Sequence, residues 1–581
     1  MSSTGNDLSA GAKVASVRSD EDLIAAAEAW LARDPDPDTR AELQDLLEAG
    51  DRDGIAERFA GLVTFGTAGL RSQMGAGPNR MNRLVVRFAA AGLGDWLGPG
   101  ATVVIGHDRR WKSDVFADDA ARVLAAAGHR VLRFRAAVPT PLLAFAVRDQ
   151  KADAGVMVTA SHNPPTDNGI KIYQGDGVQI GPPLDAEVAA CIRARAASGE
   201  TELADSDDPR IEDVGGDVRA RYVEAALALV SAERSDLTIV YTPLHGVGAS
   251  VTEEVFARAG FAFFTVVKEQ REPDPAFPTV TFPNPEEPEA LELVKAEAIQ
   301  RGADLLLAHD PDADRLGVAV PTSHTPAGSR SSAAWRTLTG DEIGVLLAEH
   351  LLRPTEGADR LVATTFVSSR LLSRMAAFHG VRYVDTLTGF KWVMRAAFGD
   401  PAYRFVFAYE EALGYAVSDA VRDKDGITAA LVFADLVASL RQGGHLVLDV
   451  LDELARRHGV HATSNRQIRF AQPGGRERIA RFMDELRSNP PTRLGDRAVT
   501  AVVDLANPGS LPGLPPTDAV ALYAEDARVV VRPSGTEPKL KLYVEAVQAV
   551  AAGDDLASVR TEAAAVADAI ANSMLSTVGP R

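Results

Sequence analysis

The stretch VMVTASHNPPTDNGIKIY, residues 156–173, joins a buried strand to a loop that carries reactive side chains. Its first residues are apolar and β-branched, which is typical of a strand buried on both faces of a sheet. The apolar run stops at Ser161, and two prolines and the Asn168-Gly169 turn then restrict the loop. A nucleophilic serine requires such a fixed position. The stretch therefore predicts a functional loop, and a proline-stiffened turn without chemistry is the alternative.

The same arrangement recurs along the chain, where short apolar runs end in polar or acidic clusters and alternate with helical patterns. This alternation favours parallel sheets covered on both faces, with functional side chains at the carboxyl ends of the strands. After about residue 455 the pattern changes to a charged helix, alternating strands and an Ala-rich helix, which is typical of an α+β unit. We predict three α/β units with mixed, mainly parallel sheets and a C-terminal α+β unit. Their predicted ranges are 1–212, 213–325, 326–455 and 456–581.

Composition limits the possible partners and location. The chain has 581 residues and a formal net charge of -19, which argues against nucleic acid or an anionic membrane as the main partner. A small anionic substrate remains compatible with a local basic site. The only cysteine is Cys191, so no intrachain disulfide is possible, and a cytoplasmic location is expected. No apolar run reaches the length of a membrane span. The N-terminal stretch is expected to be disordered up to a helix near Asp20, and residues 321–335 to form a joint or a long surface hairpin.

The sequence LLLAHDPDADRLGV places three carboxylates in one short loop after an apolar strand: Asp310, Asp312 and Asp314. Carboxylate oxygens suit Mg²⁺ or Ca²⁺, and three such groups repel one another unless a cation lies between them. An EF-hand is excluded, because the required Gly and Glu positions hold Arg315 and Pro321. A solvated acidic turn is the alternative. Because Mg²⁺ often shares its coordination with a phosphate oxygen, the loop also suggests a phosphorylated partner.

The sequence RVVVRPSGTEPKLKLYV is a candidate phosphate loop near the C-terminus. Arg532, Ser534, Gly535, Thr536 and Lys539 combine a guanidinium group, two hydroxyl groups and a glycine-opened backbone between strands. Such donors suit a phosphate group. The spacing of a Walker loop is absent. A surface hairpin with ordinary turn residues is the alternative.

Other strand-end residues give weaker indications. Glu410 and Glu411 end one strand, and Thr388 and Lys391 lie in another loop; each set alone is more typical of a solvated turn. His162 follows Ser161, but neighbours in extended chain point to opposite faces, so we predict no hydrogen-bonded Ser-His pair. A G-x-S-x-G elbow is absent, which disfavours hydrolase chemistry. Lys171 could return to the loop as an acid, a base or a phosphate partner.

In this order, the motifs resemble those of the α-D-phosphohexomutases, the family of phosphoglucomutase and phosphomannomutase. The resemblance covers nearly the whole chain. The motifs that carry it are TFGTAGLR (64–71), GHDRRWKS (106–113), TASHNPPTDNGIK (159–171), PNPE (283–286), DPDADR (310–315), YEEALG (409–414) and RPSGTEPK (532–539).

The resemblance implies a role for each matching residue around one central cleft. Ser161 would carry a transferable phosphate and, with Asp310, Asp312 and Asp314, would hold Mg²⁺. Arg71 and Arg315 would support the moving phosphoryl group, and His162 and Lys171 would act as acid, base or phosphate-orienting groups. The residues implied in sugar binding are Thr388, Gly389, Lys391, Glu410, Ala412 and Lys424. Those implied in gripping the second phosphate are Arg532, Ser534, Gly535 and Thr536.

The implied activity is a mutase that interconverts hexose 1-phosphate and hexose 6-phosphate, with glucose as the first candidate and mannose as the second. Phosphoserine would give its group to the sugar, and the resulting bisphosphate would turn round and return the other phosphate. A cognate bisphosphate such as glucose 1,6-bisphosphate would act as activator. Sugar phosphates would be the only partners, with no membrane, nucleic acid or obligate protein partner. A metal-dependent sugar phosphatase is a distant alternative, and a non-catalytic sensor would need a broken nucleophile or metal loop.

The chain departs from the family pattern at two motifs. Pro311 and Ala313 replace the glycines of the usual D-G-D-G-D metal loop but leave the carboxylates intact. Ala412 stands where many members have serine, which removes a hydroxyl donor from the sugar loop. The E-E-A form of the sugar loop, together with TGFKW (388–392), more closely resembles the branch of the family with phosphopentomutase and glucose-1,6-bisphosphate synthase activities. These two activities are the alternatives to a hexose phosphate mutase.

Overall fold

The computed structural model of the protein describes residues 19–66, 69–231, 236–323, 334–470, 472, 474–535 and 538–577. These residues form four units, each built on a principal sheet; the sheets span residues 65–213, 238–337, 360–416 and 460–548. The predicted order of three α/β units and a C-terminal α+β unit is confirmed.

The first unit carries a mixed sheet whose strands lie in the order β1-β2-β6-β5-β3-β4-β7. Its elements are α1 (Asp20–Leu31), α2 (Pro37–Ala49), α3 (Arg52–Arg58), β1 (Phe65–Gly66), β2 (Gly69–Gln73), α4 (Arg83–Leu97), β3 (Thr102–His107), α5 (Ser113–Ala126), β4 (Arg130–Arg133), α6 (Thr140–Asp149), β5 (Ala154–Val158), β6 (Asp167–Gln174), α7 (Leu184–Ser198) and β7 (Ile211–Asp213). Strands β3, β4, β5 and β7 are parallel, and β6 is antiparallel to β5. The turn between β5 and β6 therefore presents the Ser161 loop at the carboxyl end of β5.

The chain enters the first unit through α1, as predicted. Ser19 caps this helix, because its hydroxyl group accepts the Asp22 N–H at 3.1 Å and the Asp22 carboxylate accepts the Ser19 N–H at 3.2 Å. The predicted disordered start, residues 1–18, lies outside the described residues.

The second unit carries a sheet in the order β12-β11-β10-β8-β9, with β8, β9 and β10 parallel. Its elements are α8 (Gly216–Leu227), β8 (Thr238–Thr242), α9 (Ala249–Arg258), β9 (Phe263–Val266), α10 (Lys268–Arg271), a 3₁₀ helix (Pro288–Leu291), α11 (Glu292–Arg301), β10 (Leu305–Ala308), β11 (Gly317–Pro321) and β12 (Trp335–Thr337). The second sheet extends past the boundary placed at residue 325, because β12 pairs with β11, Trp335 opposite Pro321. The two ends of the 321–335 segment therefore pair antiparallel, and residues 324–333 lie outside the described part.

The third unit carries a sheet in the order β14-β13-β15-β16, parallel except for β16. Its elements are α12 (Gly340–Leu352), β13 (Arg360–Thr365), α13 (Leu371–His379), β14 (Arg382–Thr386), α14 (Phe390–Ala397), β15 (Arg404–Glu410), β16 (Gly414–Ala416), α15 (Gly426–Gln442) and α16 (Val447–His458). Across the described residues, no single helix has the length and hydropathy of a membrane span; only α15 and α16 taken together reach both, across a 90° bend.

The C-terminal unit carries an antiparallel sheet in the order β17-β23-β22-β21-β20. Its elements are β17 (Val460–Arg469), α17 (Gly475–Ser488), β18 (Arg493–Leu494), β19 (Arg497–Ala498), β20 (Ala501–Asp504), β21 (Val520–Tyr523), β22 (Ala527–Pro533), β23 (Lys539–Gln548) and α18 (Leu556–Thr577).

The three α/β units share a continuous apolar core. One cluster of buried side chains includes Leu142 of α6, Tyr222 of α8, Phe407 of β15 and Phe433 of α15. Since interiors are packed as densely as crystals, this shared core holds the strand ends of the three units at fixed positions relative to one another. The C-terminal sheet has a separate core cluster, which includes Leu522 and Val531.

Candidate active site

Ser161 lies buried at the end of β5, and its hydroxyl group meets the acidic loop of the second unit. Its Oγ donates to Asp310 Oδ2 at 2.6 Å, and its N–H donates to Thr159 Oγ1 at 2.9 Å. Ser161 has φ +53°, in the left-handed region that is uncommon for residues other than glycine. The surrounding contacts therefore hold the serine in a strained position that directs its Oγ toward the carboxylates.

The prediction that Ser161 and His162 do not pair is wrong. Ser161 Oγ and His162 Nδ1 are 3.2 Å apart, because the positive φ at Ser161 breaks the extended geometry on which the prediction rested. Burial, Arg315 and Arg71 hold the pKa of His162 well below its ordinary value. His162 is therefore neutral near pH 7, and one of its ring nitrogens can accept a proton.

Arg110 anchors the backbone of the Ser161 loop. Its guanidinium group donates to the carbonyl oxygens of Asn163 at 2.7 Å, Pro164 at 2.8 Å and Asp167 at 3.2 Å, and also to that of Ser161. One planar, permanently charged group thus satisfies four carbonyls of a loop that lacks regular structure.

Asp108 supports the same loop through Thr159. Its Oδ2 accepts from Thr159 Oγ1 at 2.6 Å, and its Oδ1 accepts from Ser113 Oγ at 2.7 Å. The GHDRRWKS motif contains Asp108, Arg110 and Ser113, so the motif was recognised in the sequence, but the roles of these side chains were missed. Only the fold brings the loop after β3 under the loop after β5.

The three aspartates of the loop after β10 are buried and close together. One carboxylate oxygen from each of Asp310, Asp312 and Asp314 lies within 4.8 Å of the others. Asp312 Oδ1 and Asp314 Oδ1 are buried and have no hydrogen-bond partner in the described part of the chain. Buried carboxylate oxygens require a partner, and a divalent cation between hard oxygen ligands supplies one. The residues present therefore fit a divalent metal ion.

Two lysines from different units neutralise the outer oxygens of this triad. Lys171 of β6 donates to Asp312 Oδ2 and to Asp314 Oδ2, both at 2.6 Å, and Lys424 Nζ lies 3.2 Å from Asp314 Oδ2. Burial raises the pKa of Asp314, but Lys171, Lys424 and Arg315 outweigh burial and hold it below the ordinary value. Burial, Asp312 and Asp314 raise the pKa of Asp310 well above its ordinary value.

Arg71 and Arg315 both reach this centre. Arg71 Nη1 donates to Asn163 Oδ1 at 3.4 Å, and Arg315 Nη1 donates to Glu286 Oε2 of the PNPE motif at 3.1 Å. The buried Nε atoms of both arginines have no hydrogen-bond partner among the described residues. Both guanidinium groups therefore retain donors for an anion.

The candidate sugar loops of the third unit are brought together only in part. The Gly389 N–H donates to Glu410 Oε1 at 2.8 Å, and Lys424 Nζ lies 5.6 Å from the centre of the Phe390 ring. Thr388 and Ala412 are half-buried. Lys391 instead lies against the first unit, where its Nζ is 3.8 Å from Asp185 Oδ2.

The loop that carries Lys424 is held by neighbouring acidic residues, whose roles were missed in the sequence. Asp423 Oδ2 accepts from Tyr173 OH at 2.8 Å and from Gln179 Nε2 at 2.6 Å, both in the first unit. Asp425 caps α15 and accepts from Tyr222 OH of the second unit at 3.0 Å.

Gly426 allows the loop that carries Lys424 to pack closely on the metal loop. A Cβ atom there would lie 2.4 Å from the Arg315 carbonyl oxygen and 2.8 Å from that of Ala313. The loop therefore packs its backbone directly on the metal loop, which fixes the approach of Lys424.

The candidate phosphate loop of the C-terminal unit faces the third unit. Arg532 and Lys541 are opposite each other on β22 and β23, on the strand face that also bears Val530 and Tyr543. Val530 and Tyr543 pack with Phe366 of the third unit. Lys541, which was not predicted, therefore joins Arg532 on the face directed at the cleft.

The remaining residues of that loop are only partly described. The Ser534 N–H donates to the Lys539 carbonyl oxygen at 2.7 Å, Ser534 is half-buried and Gly535 is exposed. Thr536 lies outside the described residues. Glu411 stands on the opposite wall, and burial, with Glu410 and Asp341, raises its pKa to about 7.

Comparison with known proteins agrees with this architecture. Four family models match: phosphoglucomutase/phosphomannomutase alpha/beta/alpha domain I (residues 62–198), domain II (220–323), domain III (339–457) and the C-terminal domain (487–565). The chain belongs to the phosphoglucomutase/phosphomannomutase family, whose members are mutases, isomerases that move a phosphoryl group.

Individual relatives carry different substrate names. The chain is 38% identical to a Haemophilus influenzae protein named "Probable phosphomannomutase", covering 80% of this chain and 93% of the relative. It is 34% identical to the phosphoribomutase of Saccharomyces cerevisiae, covering 89% and 91%. A solved structure of a phosphoglucomutase/phosphomannomutase family protein from Burkholderia thailandensis matches with a TM-score of 0.65 at 21% identity, covering 89% of this chain and 97% of that one, which supports the fold alone.

Proposed function

We propose that the protein interconverts hexose 1-phosphate and hexose 6-phosphate through a phosphate carried on Ser161, with glucose as the first substrate. The observation that carries the proposal is the hydrogen bond of 2.6 Å from Ser161 to Asp310 of another unit, beside carboxylate oxygens that have no hydrogen-bond partner among the described residues. A nucleophile and a metal-binding loop that are preassembled from two units suit phosphoryl transfer, which depends on position and charge stabilisation.

Asp310, Asp312 and Asp314, with Ser161, would hold Mg²⁺, which when bound offsets negative charge on the phosphoryl group. Arg71 and Arg315 offer donors to the equatorial oxygens of that group. Lys171 stays protonated, because Asp312 and Asp314 outweigh the effect of burial on its pKa. Lys171 therefore orients these carboxylates and supplies positive charge to the site.

Transfer from phosphoserine forms a bond between a sugar hydroxyl oxygen and phosphorus and breaks the bond between phosphorus and Ser161 Oγ; the hydroxyl loses its proton and Oγ gains one. In the return step, Ser161 Oγ attacks the other phosphorus of the bisphosphate and gives up its proton, the bond between that phosphorus and its sugar oxygen breaks, and the sugar oxygen takes up a proton. Neutral His162, with Nδ1 3.2 Å from Oγ, is positioned to accept that proton. Loading of Ser161 at the start would require a cognate bisphosphate such as glucose 1,6-bisphosphate.

The C-terminal loop would grip the phosphate that is not being transferred. Arg532 and Lys541 provide two cations on one strand face, and Ser534 and Gly535 provide a hydroxyl group and open backbone. Grip and transfer sites on separate units suit a bisphosphate that must turn round, because each phosphate can occupy either site in turn.

A pentose phosphate is the second candidate substrate. The 34% identity to a phosphoribomutase over most of both chains favours it, and so does Ala412, which offers no hydroxyl donor to a sugar. A substrate panel of glucose, mannose, ribose and glucosamine 1-phosphates, each assayed for its isomer, separates the candidates. We expect glucose 1-phosphate to give the highest kcat/KM; a higher value for ribose 1-phosphate would assign the protein to pentoses, and steady release of inorganic phosphate would indicate a phosphatase.

A further inference from the structure

An open groove lies on the seam between the third and C-terminal units. Its volume is about 850 Å³, and the end of α16, the first turn of α13 and the end of β23 all line it. Its basic lining residues are Arg370, Arg374, Arg456, Arg457, His458 and Arg497. In a chain of net charge -19, five arginines in one groove are a marked local excess of positive charge.

Three of these arginines already have ionic partners. Arg370 Nε lies 2.6 Å from Glu545 Oε2, Arg457 Nη1 lies 3.2 Å from Glu349 Oε1, and Arg497 Nε lies 2.8 Å from Asp526 Oδ1.

The guanidinium groups of the other two, Arg374 and Arg456, form no side-chain hydrogen bond or ion pair within the described part of the chain, although the charge of Arg456 also acts on Asp555. Both guanidinium groups can therefore bind a ligand, and each can form a bidentate pair with a phosphate group.

The opposite wall of the groove limits what can enter. Asp496 and Asp526 are both held by Arg497, so Glu525 is the remaining carboxylate without an ion pair among the described lining residues. Thr500 and Gln548 add neutral hydrogen-bonding groups to this wall. The carboxylate of Glu525 therefore disfavours a large polyanion that would contact the whole lining.

His458 lies beside two of the arginines. Burial is the main cause that lowers the pKa of His458; Arg457 and Arg374 lower it further, whereas Glu349 raises it. The two guanidinium groups are therefore close enough to His458 to act on its charge.

We propose that this groove binds a small phosphorylated metabolite with at least two anionic groups, held by Arg374 and Arg456. The groove is separate from the cleft of the proposed reaction. Gln548 ends β23, whereas Lys541 lies seven residues earlier on the same strand, roughly 23 Å away at about 3.3 Å per residue.

Pyrophosphate is the probe, titrated calorimetrically at low ionic strength without Mg²⁺. We expect the double variant Arg374→Ser/Arg456→Ser to lose at least tenfold in affinity for the groove, with unchanged kcat for sugar phosphate when no pyrophosphate is present. The matched control is Arg40→Ser/Arg193→Ser, which removes two exposed arginines of the first unit. Arg532→Ser should retain groove binding, which distinguishes the groove from the proposed phosphate grip.

The proposal is overturned if the groove variant binds pyrophosphate as tightly as the wild type. It is also overturned if the control variant loses as much affinity, since the effect would then report only net charge. Loss of all pyrophosphate binding in Arg532→Ser alone would assign the binding to the active-site cleft and would equally reject the groove.

Discussion

The Ser161 centre and the C-terminal phosphate loop are both built to meet phosphate, but they are held in different ways. Ser161, Lys171 and the three aspartates are buried and come from units that share one apolar core. The C-terminal loop is half-buried to exposed, and its sheet has a core cluster of its own. The difference indicates that the reacting end is held inside a core shared by three units, whereas the gripping end is held through the contacts of the C-terminal unit with the third unit.

The seam between the third unit and the C-terminal unit combines polar contacts with an apolar cluster that includes Phe366 and Tyr543. Glu545 of β23 accepts from Ser369 Oγ at 2.7 Å and from Arg370 Nε at 2.6 Å, and Arg528 Nη1 donates to the Phe366 carbonyl oxygen at 2.8 Å. These directional contacts specify one arrangement of the two units, and the apolar cluster packs the same two units together.

The largest expected effect comes from removing the proposed nucleophile. Ser161→Ala should abolish turnover, because no other described hydroxyl group shares its contacts with Asp310 and His162. Sugar-phosphate affinity, measured by calorimetry, should largely remain, since the grip lies on another unit. Thr166→Ala, at an exposed position in the same loop, is the matched control and should keep its activity. Wild-type turnover in Ser161→Ala would show that Ser161 is not the nucleophile.

The next effect concerns the acidic loop. Asp312→Asn keeps the side-chain shape but removes one charge, so metal affinity should fall and turnover should slow by orders of magnitude. The variant and the exposed-site control Asp207→Asn should be assayed across a Mg²⁺ titration. Full wild-type activity after exhaustive chelation would contradict a metal requirement.

Arg110 tests whether the rigidity of the Ser161 loop matters. Arg110→Lys offers three donors for four carbonyl groups and lacks the planar geometry of Arg110, so the loop should loosen and kcat should fall, with little change in KM. The buried hydrogen bonds lost suggest a decrease in stability of about 1–3 kcal/mol. Thermal unfolding and steady-state kinetics measure both effects, and an increase in KM alone would place Arg110 in binding instead.

Arg532 tests the C-terminal phosphate loop. Arg532→Lys should weaken all sugar phosphates by a similar factor, on the order of 1–3 kcal/mol for a charge-assisted contact, and should release more free bisphosphate. Ala412→Ser should instead change the ranking among sugars and leave bisphosphate release unchanged. Reordered sugar preference in Arg532→Lys, without weaker binding, would show that this loop does not grip the phosphate.

The smallest expected effect is a pH dependence of the free energy of unfolding that arises from Glu411, opposite Lys541. Burial, with Glu410 and Asp341, raises the pKa of Glu411 to about 7, and its ordinary value is 4.5. Between pH 4.5 and 7, Glu411 binds a proton more often in the folded protein than in the unfolded chain. Its contribution to the free energy of unfolding is therefore present at low pH and is lost as pH rises toward 7. Glu411→Gln should flatten that part of the melting-temperature profile between pH 4.5 and 7; an unchanged profile would assign the dependence to other groups.

Much of the architecture could be predicted from the sequence, because it depends on local patterns. The alternation of apolar runs and helices predicted the α/β units, and the spacing of Asp310, Asp312 and Asp314 predicted their cluster. Contacts between distant segments could not be predicted in this way: Arg110 beneath the Ser161 loop, and Asp423 between Tyr173 and Gln179, exist only once the strands are ordered.

Backbone conformation explains the remaining differences. The Ser161-His162 contact was missed because a positive φ at a serine has no sequence signal. Ala313, which replaces a family glycine, likewise adopts φ +55°, a conformation that costs a residue with a Cβ on the order of 1 kcal/mol. The metal loop thus keeps a shape that suits glycine, and the surrounding buried contacts offset the strain.

A chase of labelled phosphate tests the central claim most directly. The protein would be incubated with a hexose 1,6-bisphosphate carrying labelled phosphate, freed of excess sugar, and then mixed with unlabelled hexose monophosphate. The account predicts label on the peptide that contains Ser161 and its subsequent transfer to the sugar. Label on another residue, or its release as inorganic phosphate without transfer to sugar, would contradict a phosphoserine mutase.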